Sequence, residues 1–106
     1  MRVTLTDAAR SVLTALANER KQALRINGEL TGGCGMTVEY SLCWDEPLSG
    51  DRVLEVEGMT LLVDKETETY VGAEELVIDY REQQGFRLVT PQEILAYGLK
   101  VKERWG

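Results

Sequence analysis

The sequence contains no histidine, two cysteines and two prolines among its 106 residues. Without histidine, the chain lacks the commonest metal ligand and the commonest general base of proteins, and its cysteines have no imidazole to activate them. No phosphate-binding loop and no pair of carboxylates at a catalytic spacing stands out. We therefore expect a protein that is not an enzyme.

Long apolar runs and an excess of basic residues are also missing. No stretch approaches the roughly 20 apolar residues that span a bilayer, and the first residues are polar and acidic, without the apolar centre of a signal peptide. The net charge of -6 is unsuited to binding nucleic acid or an anionic membrane. We expect a cytoplasmic protein whose two cysteines stay reduced.

The composition is that of an ordinary globular protein. Hydrophobic residues make up 43% of the chain and charged residues 28%, which is enough apolar material for a packed core. A chain of this length suits one core, so residues 1–106 are predicted to form a single domain.

Three glycines surround the first cysteine in the stretch Leu30–Met36. Gly32, Gly33 and Gly35 flank Cys34, and glycine permits backbone conformations and close approaches that other residues do not. Because apolar, strand-like runs lie on both sides, the sulfur should emerge at a turn between two strands. A glycine hairpin that merely contains a small buried cysteine is an equally good interpretation of these residues, since free cysteines are often buried.

One amphipathic helix is predicted near the N-terminus. Thr6 followed by Asp7 suits an N-cap with an acidic first turn. The apolar residues after it recur at the spacing of a single helix face: Ala9, Val12, Leu13 and Leu16. We expect this helix to cover a core and to carry no chemistry.

Short strands are predicted for most of the remaining chain. They are Arg2–Leu5, Ala23–Ile26, Val38–Trp44, Arg52–Val56, Met59–Val63, Leu76–Tyr80 and Phe86–Val89. Turn dipeptides separate them at Asn27-Gly28, Glu57-Gly58 and Gln84-Gly85. The polar stretch 64–70 predicts a loop or a single helical turn. About seven short strands with one helix in front predict a mainly β, α+β fold, either a sandwich or a pseudo-barrel.

The second cysteine, Cys43, belongs to a strand and not to the glycine loop. Alternation along that strand puts it on one face with Thr37, Glu39 and Ser41. We interpret Cys43 as a half-exposed strand residue and not as a metal ligand, because a second ligand would normally come from the loop.

The tail after Pro91 predicts a second helix. Thr90-Pro91-Gln92-Glu93 has the form of a capping box with proline at the first helical position. Apolar residues then follow at helical spacing: Ile94, Tyr97, Val101 and Trp105. We expect a C-terminal helix over residues 92–106 that packs this stripe, although Gly98 weakens it.

Several short motifs follow one another between Val3 and Pro91. They are Leu24-Arg25-Ile26, Gly33-Cys34-Gly35-Met36, Asp45-Glu46-Pro47 with Asp51, Gly58 with Val63-Asp64, Gly72 with Asp79-Tyr80, and Gly85-Phe86 with Thr90-Pro91. In order and spacing they resemble the HesB/IscA-like family, the A-type iron-sulfur carriers. The resemblance implies a compact β fold with one N-terminal helix over residues 1–91, followed by a divergent helical tail over 92–106.

The resemblance also implies a site. In the family, a Gly-Cys-Ser-Gly loop supplies one thiolate and a C-terminal Cys-Gly-Cys pair supplies two more, which hold iron or an iron-sulfur cluster, often across a dimer. Here the loop is Gly-Cys-Gly-Met, and no cysteine follows Cys43. Only Cys34 corresponds to a family ligand, with Gly32, Gly33 and Gly35 supporting its thiol. The implied protein is a degenerate member with a labile iron or iron-sulfur cluster.

Three functions are weighed on this basis. The leading hypothesis is an iron-sulfur cluster assembly or carrier-related protein that uses Cys34, across a homodimer, with apoproteins or assembly machinery as partners. The alternative is a non-catalytic interaction or binding module on the same scaffold, which has lost cluster binding and whose C-terminal helix covers the site. The third is a thiol enzyme, which the missing histidine disfavours.

Overall fold

The structure, a computed structural model, describes residues 1–17, 23–32 and 37–103. Along these residues the elements are β1 (Arg2–Leu5), α1 (Asp7–Ala17), β2 (Ala23–Thr31), β3 (Thr37–Asp45), β4 (Arg52–Val56), β5 (Met59–Val63), α2 (Lys65–Val71), β6 (Glu75–Arg81), β7 (Gly85–Val89), β8 (Ile94–Leu99) and β9 (Val101–Glu103). The described part of the chain therefore has nine strands, where the sequence predicted about seven.

Two mixed sheets enclose one hydrophobic core. The four-stranded sheet has the order β1-β6-β7-β8, and the five-stranded sheet has the order β4-β5-β2-β3-β9. Three pairs of strands are parallel, namely β1 with β6, β2 with β5, and β3 with β9. Buried side chains of both sheets and of α1 form a single cluster, which includes Leu13, Leu24, Leu42, Ile78 and Leu88. The predicted mainly β architecture with an N-terminal helix is confirmed.

The N-terminal helix begins as predicted. The Thr6 hydroxyl accepts a hydrogen bond from the backbone N–H of Ala9 at 3.2 Å, so it caps the first turn of α1. Ala9 and Leu13 are completely buried, whereas Leu16 is 44% exposed. The buried stripe thus ends one turn earlier than the spacing predicted. No helix in the described ranges is long and apolar enough to cross a membrane.

Two predicted hairpin turns are present. Glu57-Gly58 joins β4 to β5, whose last pair is Val56 with Met59. The turn at Gln84 joins β6 to β7, and its backbone N–H donates to the carbonyl of Arg81 at 2.9 Å. Turn dipeptides between alternating strands were sufficient to locate both hairpins.

The turn predicted at Asn27-Gly28 is wrong, because both residues lie inside β2. Asn27 pairs with Ser41 and Gly28 pairs with Tyr40 in one continuous antiparallel ladder. A Cβ on Gly28 would lie 3.2 Å from the Tyr40 ring, so glycine here serves a close approach of side chains and not a turn.

The stretch predicted as a loop or single helical turn forms α2, a seven-residue helix. Asp64 caps it by accepting a hydrogen bond from the Thr67 N–H at 2.7 Å. Gly72 ends it in the left-handed conformation, donating its N–H to the Glu68 carbonyl. Caps at both ends explain why so short and polar a segment is helical.

The predicted C-terminal helix is wrong, and the described part of the 92–106 tail forms β8 and β9. The Thr90 hydroxyl does accept the backbone N–H groups of Gln92 and Glu93, but the Thr90 N–H donates to the Glu93 carbonyl at 2.8 Å. That bond closes a tight turn, which sends the chain back along β7. Gly98 then has a positive φ of 67°, which does not fit a helix interior.

The two tail strands complete the two sheets. β8 forms one edge of the four-stranded sheet, and β9 pairs with the last residues of β3 at the edge of the other. The apolar stripe expected on a helix is not gathered on one buried face, since Ile94 and Tyr97 are 54% and 78% exposed. Trp105 lies outside the described residues. The tail is therefore part of the fold and not a helical appendage.

Candidate functional site

In the sequence, Cys34 lies between β2 and β3, which pair as antiparallel strands. The ladder runs without interruption from Ala23 paired with Asp45 to Thr31 paired with Thr37. Gly32, the first residue after the ladder, is exposed and has a positive φ of 94°. The other predicted site residues, Gly33, Cys34 and Gly35, lie outside the described residues. We call β2, β3 and the residues between them the thiol hairpin.

The thiol hairpin has a buried face and an outer face. The buried face contributes Leu24, Ile26, Leu42 and Trp44 to the core. On the outer face, Glu29 and Glu39 stand directly opposite each other and are both exposed. Two carboxylates therefore lie two residue pairs from the end of the ladder, next to the chain segment that contains Cys34.

Cys43 lies on the outer face of β3, where it is half-buried. In the register of the sheet it stands between Arg25 of β2 and Lys102 of β9. The prediction of a half-exposed strand residue that shares its face with polar residues is confirmed.

Cys43 is too far along β3 to form a disulfide with Cys34 of the same chain. Six residue steps along the strand lead from Thr37 to Cys43, about 20 Å at ~3.3 Å per step. The three residues from Thr37 back to Cys34 can span at most about 11 Å. The two Cα atoms are thus at least about 9 Å apart, beyond the ~7 Å limit for a disulfide.

Within residues 1–17, 23–32 and 37–103, no group of three or more cysteine, aspartate or glutamate side chains is arranged to hold a metal ion. A shallow pocket of about 310 Å³ does open on the outer face of the thiol hairpin; its lining residues are Arg25, Asn27, Glu29, Cys43, Leu48 and Asp64. The described residues alone therefore do not form a metal site.

A buried ion network closes the base of the thiol hairpin. Arg25 donates to Asp45 at 2.6 Å and to both carboxylate oxygens of Asp51 at 2.6 and 2.9 Å. The same two carboxylates accept the backbone N–H groups of Glu46 and Leu48. The side chains of all three charged residues are 5% exposed or less. The network therefore holds the end of β3 and the connection after it onto β2.

The ion network shifts the pKa values of Arg25 and Asp51. The hydrogen bond from Arg25 holds the pKa of Asp51 below its ordinary value, against the opposing effect of burial. The bonds to Asp51 and Asp45 raise the pKa of Arg25 above its ordinary value. Both shifts favour the charged forms, so the ion pairs persist at neutral pH.

From the sequence, Arg25, Asp45 and Asp51 were noted only as parts of the family motifs, and their contact with one another was not predicted. One signal could have found it: Arg25 is a single charge inside the apolar run Ala23–Ile26, and a charge in a buried strand requires partners. The acidic residues in Asp45-Glu46-Pro47 and at Asp51 are candidates for the partners of Arg25.

A pH-dependent contribution to stability follows from the lowered pKa of Asp51. Because its folded-state pKa lies below the unfolded value of about 3.9, the contribution is complete above roughly pH 5 and is lost as the pH falls through the folded-state pKa. We expect Asp51→Asn to lower the free energy of unfolding at pH 7 and to flatten its decline between about pH 5 and pH 2. Urea denaturation at several pH values measures this.

The matched control for this prediction is Asp7→Asn. The Asp7 side chain is 99% exposed, so this variant should follow the wild-type pH profile. If the free energy of unfolding falls equally steeply with decreasing pH in the wild type and in Asp51→Asn, the lowered pKa of Asp51 does not contribute to stability.

A second ion cluster lies on the four-stranded sheet. The Asp79 carboxylate accepts hydrogen bonds from Thr6 at 2.8 Å and from Arg87 at 2.8 Å. Tyr80 packs edge-to-face against Phe86, with ring centroids 4.8 Å apart. These motif residues thus join β6 to the start of α1 and to β7, and they have no part in the thiol hairpin.

Together, the fold and the hairpin define a class: small β proteins in which two mixed sheets share one core and an ion-paired hairpin leads to a glycine-flanked cysteine. The family model described as iron-sulphur cluster biosynthesis matches residues 1–103. The chain belongs to this family, and the resemblance to HesB/IscA-like proteins stated from the motifs is confirmed.

Relatives and solved structures agree with this assignment. The chain is 36% identical over 94 residues to Protein Rv2204c of Mycobacterium tuberculosis, covering 84% of this chain and 78% of the relative. It is 37% identical over 81 residues to the iron-sulfur cluster insertion protein ErpA of Shewanella halifaxensis, covering 74% and 67%.

Two solved structures share the fold. Escherichia coli SufA, which is involved in the biosynthesis of iron-sulfur clusters, matches with a TM-score of 0.64 at 24% identity, over 86% of this chain and 82% of SufA. A Lactobacillus salivarius protein, a candidate for Fe-S biosynthesis, matches with a TM-score of 0.70 at 14% identity, over 97% and 98%.

Proposed function

We propose that this protein binds an iron-sulfur cluster, or iron, as a transient cargo through the Cys34 thiolate and passes it to partner proteins. The supporting observation is that Cys34 stands in the connection of the thiol hairpin in a chain of the iron-sulphur cluster biosynthesis family. Thiolate is the ligand that iron-sulfur clusters prefer.

The number of ligands argues for two copies of the chain. A cluster usually needs four protein ligands, and this sequence contains only two cysteines, of which Cys43 is a half-buried strand residue. A symmetric pair of chains would supply two Cys34 thiolates. The remaining positions would be taken by glutathione, by the cysteines of a partner, or by a carboxylate of Glu29 or Glu39, which lie at that end of the hairpin.

A site with so few ligands from its own chain would hold its cargo weakly. Weak, labile binding suits transfer to apoproteins or exchange with assembly machinery better than it suits a permanent redox centre. We accordingly propose a carrier of the cytoplasm and not an enzyme.

The second candidate is a binding module that has lost cluster chemistry. Its remaining support is the absence of any cysteine after Cys43, where the family pattern has two. Its other support, a helix covering the site, is gone because residues 94–99 and 101–103 are strands. We therefore place the carrier first.

Anaerobic reconstitution of the pure protein with iron and sulfide tests the proposal. The wild type should develop the visible charge-transfer absorbance of a cluster, and Cys34→Ser should lose at least about nine-tenths of it, because the variant lacks the loop thiolate. Cys43→Ser is the matched control and should keep the absorbance. A wild type that stays colourless, or a Cys34→Ser variant as coloured as the wild type, would exclude the carrier function and favour the binding module.

A further inference from the structure

Strand β2 extends beyond the strand that flanks it on one side. Its parallel ladder with β5 covers only Leu24 to Ile26, paired with Leu61 to Val63, whereas β2 continues to Thr31. The chain turns into α2 directly after β5, and α2 then contacts β2. The distal part of the thiol hairpin is thus flanked on this side by a helix instead of a strand.

One side chain of α2 takes the place of the missing strand partner. The Thr67 hydroxyl oxygen accepts the backbone N–H of Gly28 at 2.9 Å, in a fully buried contact. Thr67 itself has no exposed surface. A buried N–H that lost this acceptor would have no water to replace it, so the bond fixes the distance between α2 and the hairpin.

Two aromatic rings enclose the same point. A Cβ on Gly28 would lie 3.2 Å from the ring of Tyr40 and 3.4 Å from the ring of Tyr70. The rings therefore approach the backbone of Gly28 more closely than a residue with a side chain would readily allow. We call Thr67, Gly28, Tyr40 and Tyr70 the hairpin joint.

The helix on the other side of the joint is itself held in place. Asp64 accepts the N–H of Thr67 at 2.7 Å. The next residue, Glu68, accepts hydrogen bonds from the N-terminal ammonium of Met1 at 3.3 Å and from Arg52 at 3.2 Å. Thr67 is therefore a fixed point, and Gly28 lies only three residues before the end of β2.

We propose that Thr67 is a positioning residue that sets the orientation of the distal thiol hairpin, residues 28–31 and 37–40. The inference rests on the proposed function and deepens it, because Cys34 comes only three residues after the end of β2 in the sequence. Thr67 holds Gly28 through a single hydrogen bond, in which the Thr67 hydroxyl is the acceptor. Removing this hydroxyl should therefore loosen the distal end of the thiol hairpin, while the Arg25 network keeps the base of the hairpin intact.

The test replaces the Thr67 hydroxyl with a methyl group of similar shape. In Thr67→Val we expect the amide hydrogens of residues 28–30 to exchange about tenfold faster, the rate at which iodoacetamide alkylates Cys34 in the apoprotein to change by threefold or more, and a reconstituted cluster to be lost about tenfold faster. Thr67→Ser, which restores the hydroxyl, should return all three rates to within twofold of the wild type.

Thr6→Val is the matched control. Its hydroxyl also accepts a backbone N–H, that of Ala9, but it caps α1 beside the four-stranded sheet and should leave the exchange and alkylation rates of the thiol hairpin unchanged. If Thr67→Val cannot be isolated folded, Gly28→Ala, which presses a methyl group against both tyrosine rings, must give the same accelerated exchange.

Equal rates in Thr67→Val and Thr6→Val, or failure of Thr67→Ser to restore them, would overturn the positioning role. The exchange and alkylation measurements use the apoprotein. A wild type that binds no cluster would therefore refute the proposed function and still leave the role of Thr67 to be decided by these two rates.

Discussion

Replacing Arg25 with alanine is expected to lower the free energy of unfolding by about 3–5 kcal/mol, because it leaves two buried carboxylates without their cation. Asp45 and Asp51 both bond to Arg25 at 2.6 Å, and their side chains are 3% exposed. Arg25→Lys should lose less, since it keeps the charge but not the fork that bonds both acids. Denaturation in urea at neutral pH measures the difference.

The matched control is Arg52→Ala, which removes an arginine from a more exposed ion pair. Arg52 is 51% exposed and pairs with Glu68 at 3.0 Å, so its loss should cost no more than about 1 kcal/mol. Similar losses for the two variants would contradict the view that the Arg25 network closes the base of the thiol hairpin.

Gly85→Ala is expected to cost about 3 kcal/mol, from backbone strain and from overpacking. Gly85 has a positive φ of 92°, and an added Cβ would lie 2.8 Å from the carbonyl oxygen of Leu99. Gly85 lies in β7 and Leu99 in the neighbouring strand β8. The clash can therefore be relieved only if the backbone of the edge strand β8 moves. The measurement is the same urea denaturation, with hydrogen exchange of β8 as a second reading.

Gly50→Ala separates the two causes. Gly50 has nearly the same φ, 89°, but no atom lies within 4 Å of its added Cβ, so it should show the strain alone, about 1 kcal/mol. If both glycine variants lose the same stability, the close approach of β8 to Gly85 does not contribute and the account of this strand pair is incorrect.

The strands and hairpins that sequence reasoning located are those set by local patterns. Val38–Trp44 alternates between a core face and a polar face, and the structure extends it by one residue at each end. Glu57-Gly58 stands between two such alternating runs, and a hairpin needs nothing more distant than that. Period-two patterns and turn residues are local properties, so a single sequence contains them.

The wrong predictions concern segments whose structure depends on contacts with residues far away in the sequence. Asn27-Gly28 has a turn composition, but pairing with Ser41 and Tyr40 keeps it in β2. Ile94 and Tyr97 have helical spacing, yet the chain at this point completes the ladder of β7. Pairing with an open sheet edge and packing against the core outweigh a local helix propensity that Gly98 already weakens, and the sequence alone does not show where that edge lies.

The sequence was sufficient to propose the candidate thiol, but not to predict the contacts that hold the hairpin beside it. Cys34 could be singled out because glycines flank it and the family motif contains it. The Arg25 network and the Thr67 contact with Gly28 could not, because they join residues 20 to 39 positions apart. Their partners become visible only once the sheet register is known.

Native mass spectrometry of the anaerobically reconstituted protein tests the central claim most directly, because it counts chains and cluster atoms in one species. The account predicts a complex of two chains that carries the mass of one iron-sulfur cluster, together with its absence in Cys34→Ser and its persistence in Cys43→Ser. A cluster mass on single chains, or on Cys34→Ser dimers as abundantly as on the wild type, would contradict it.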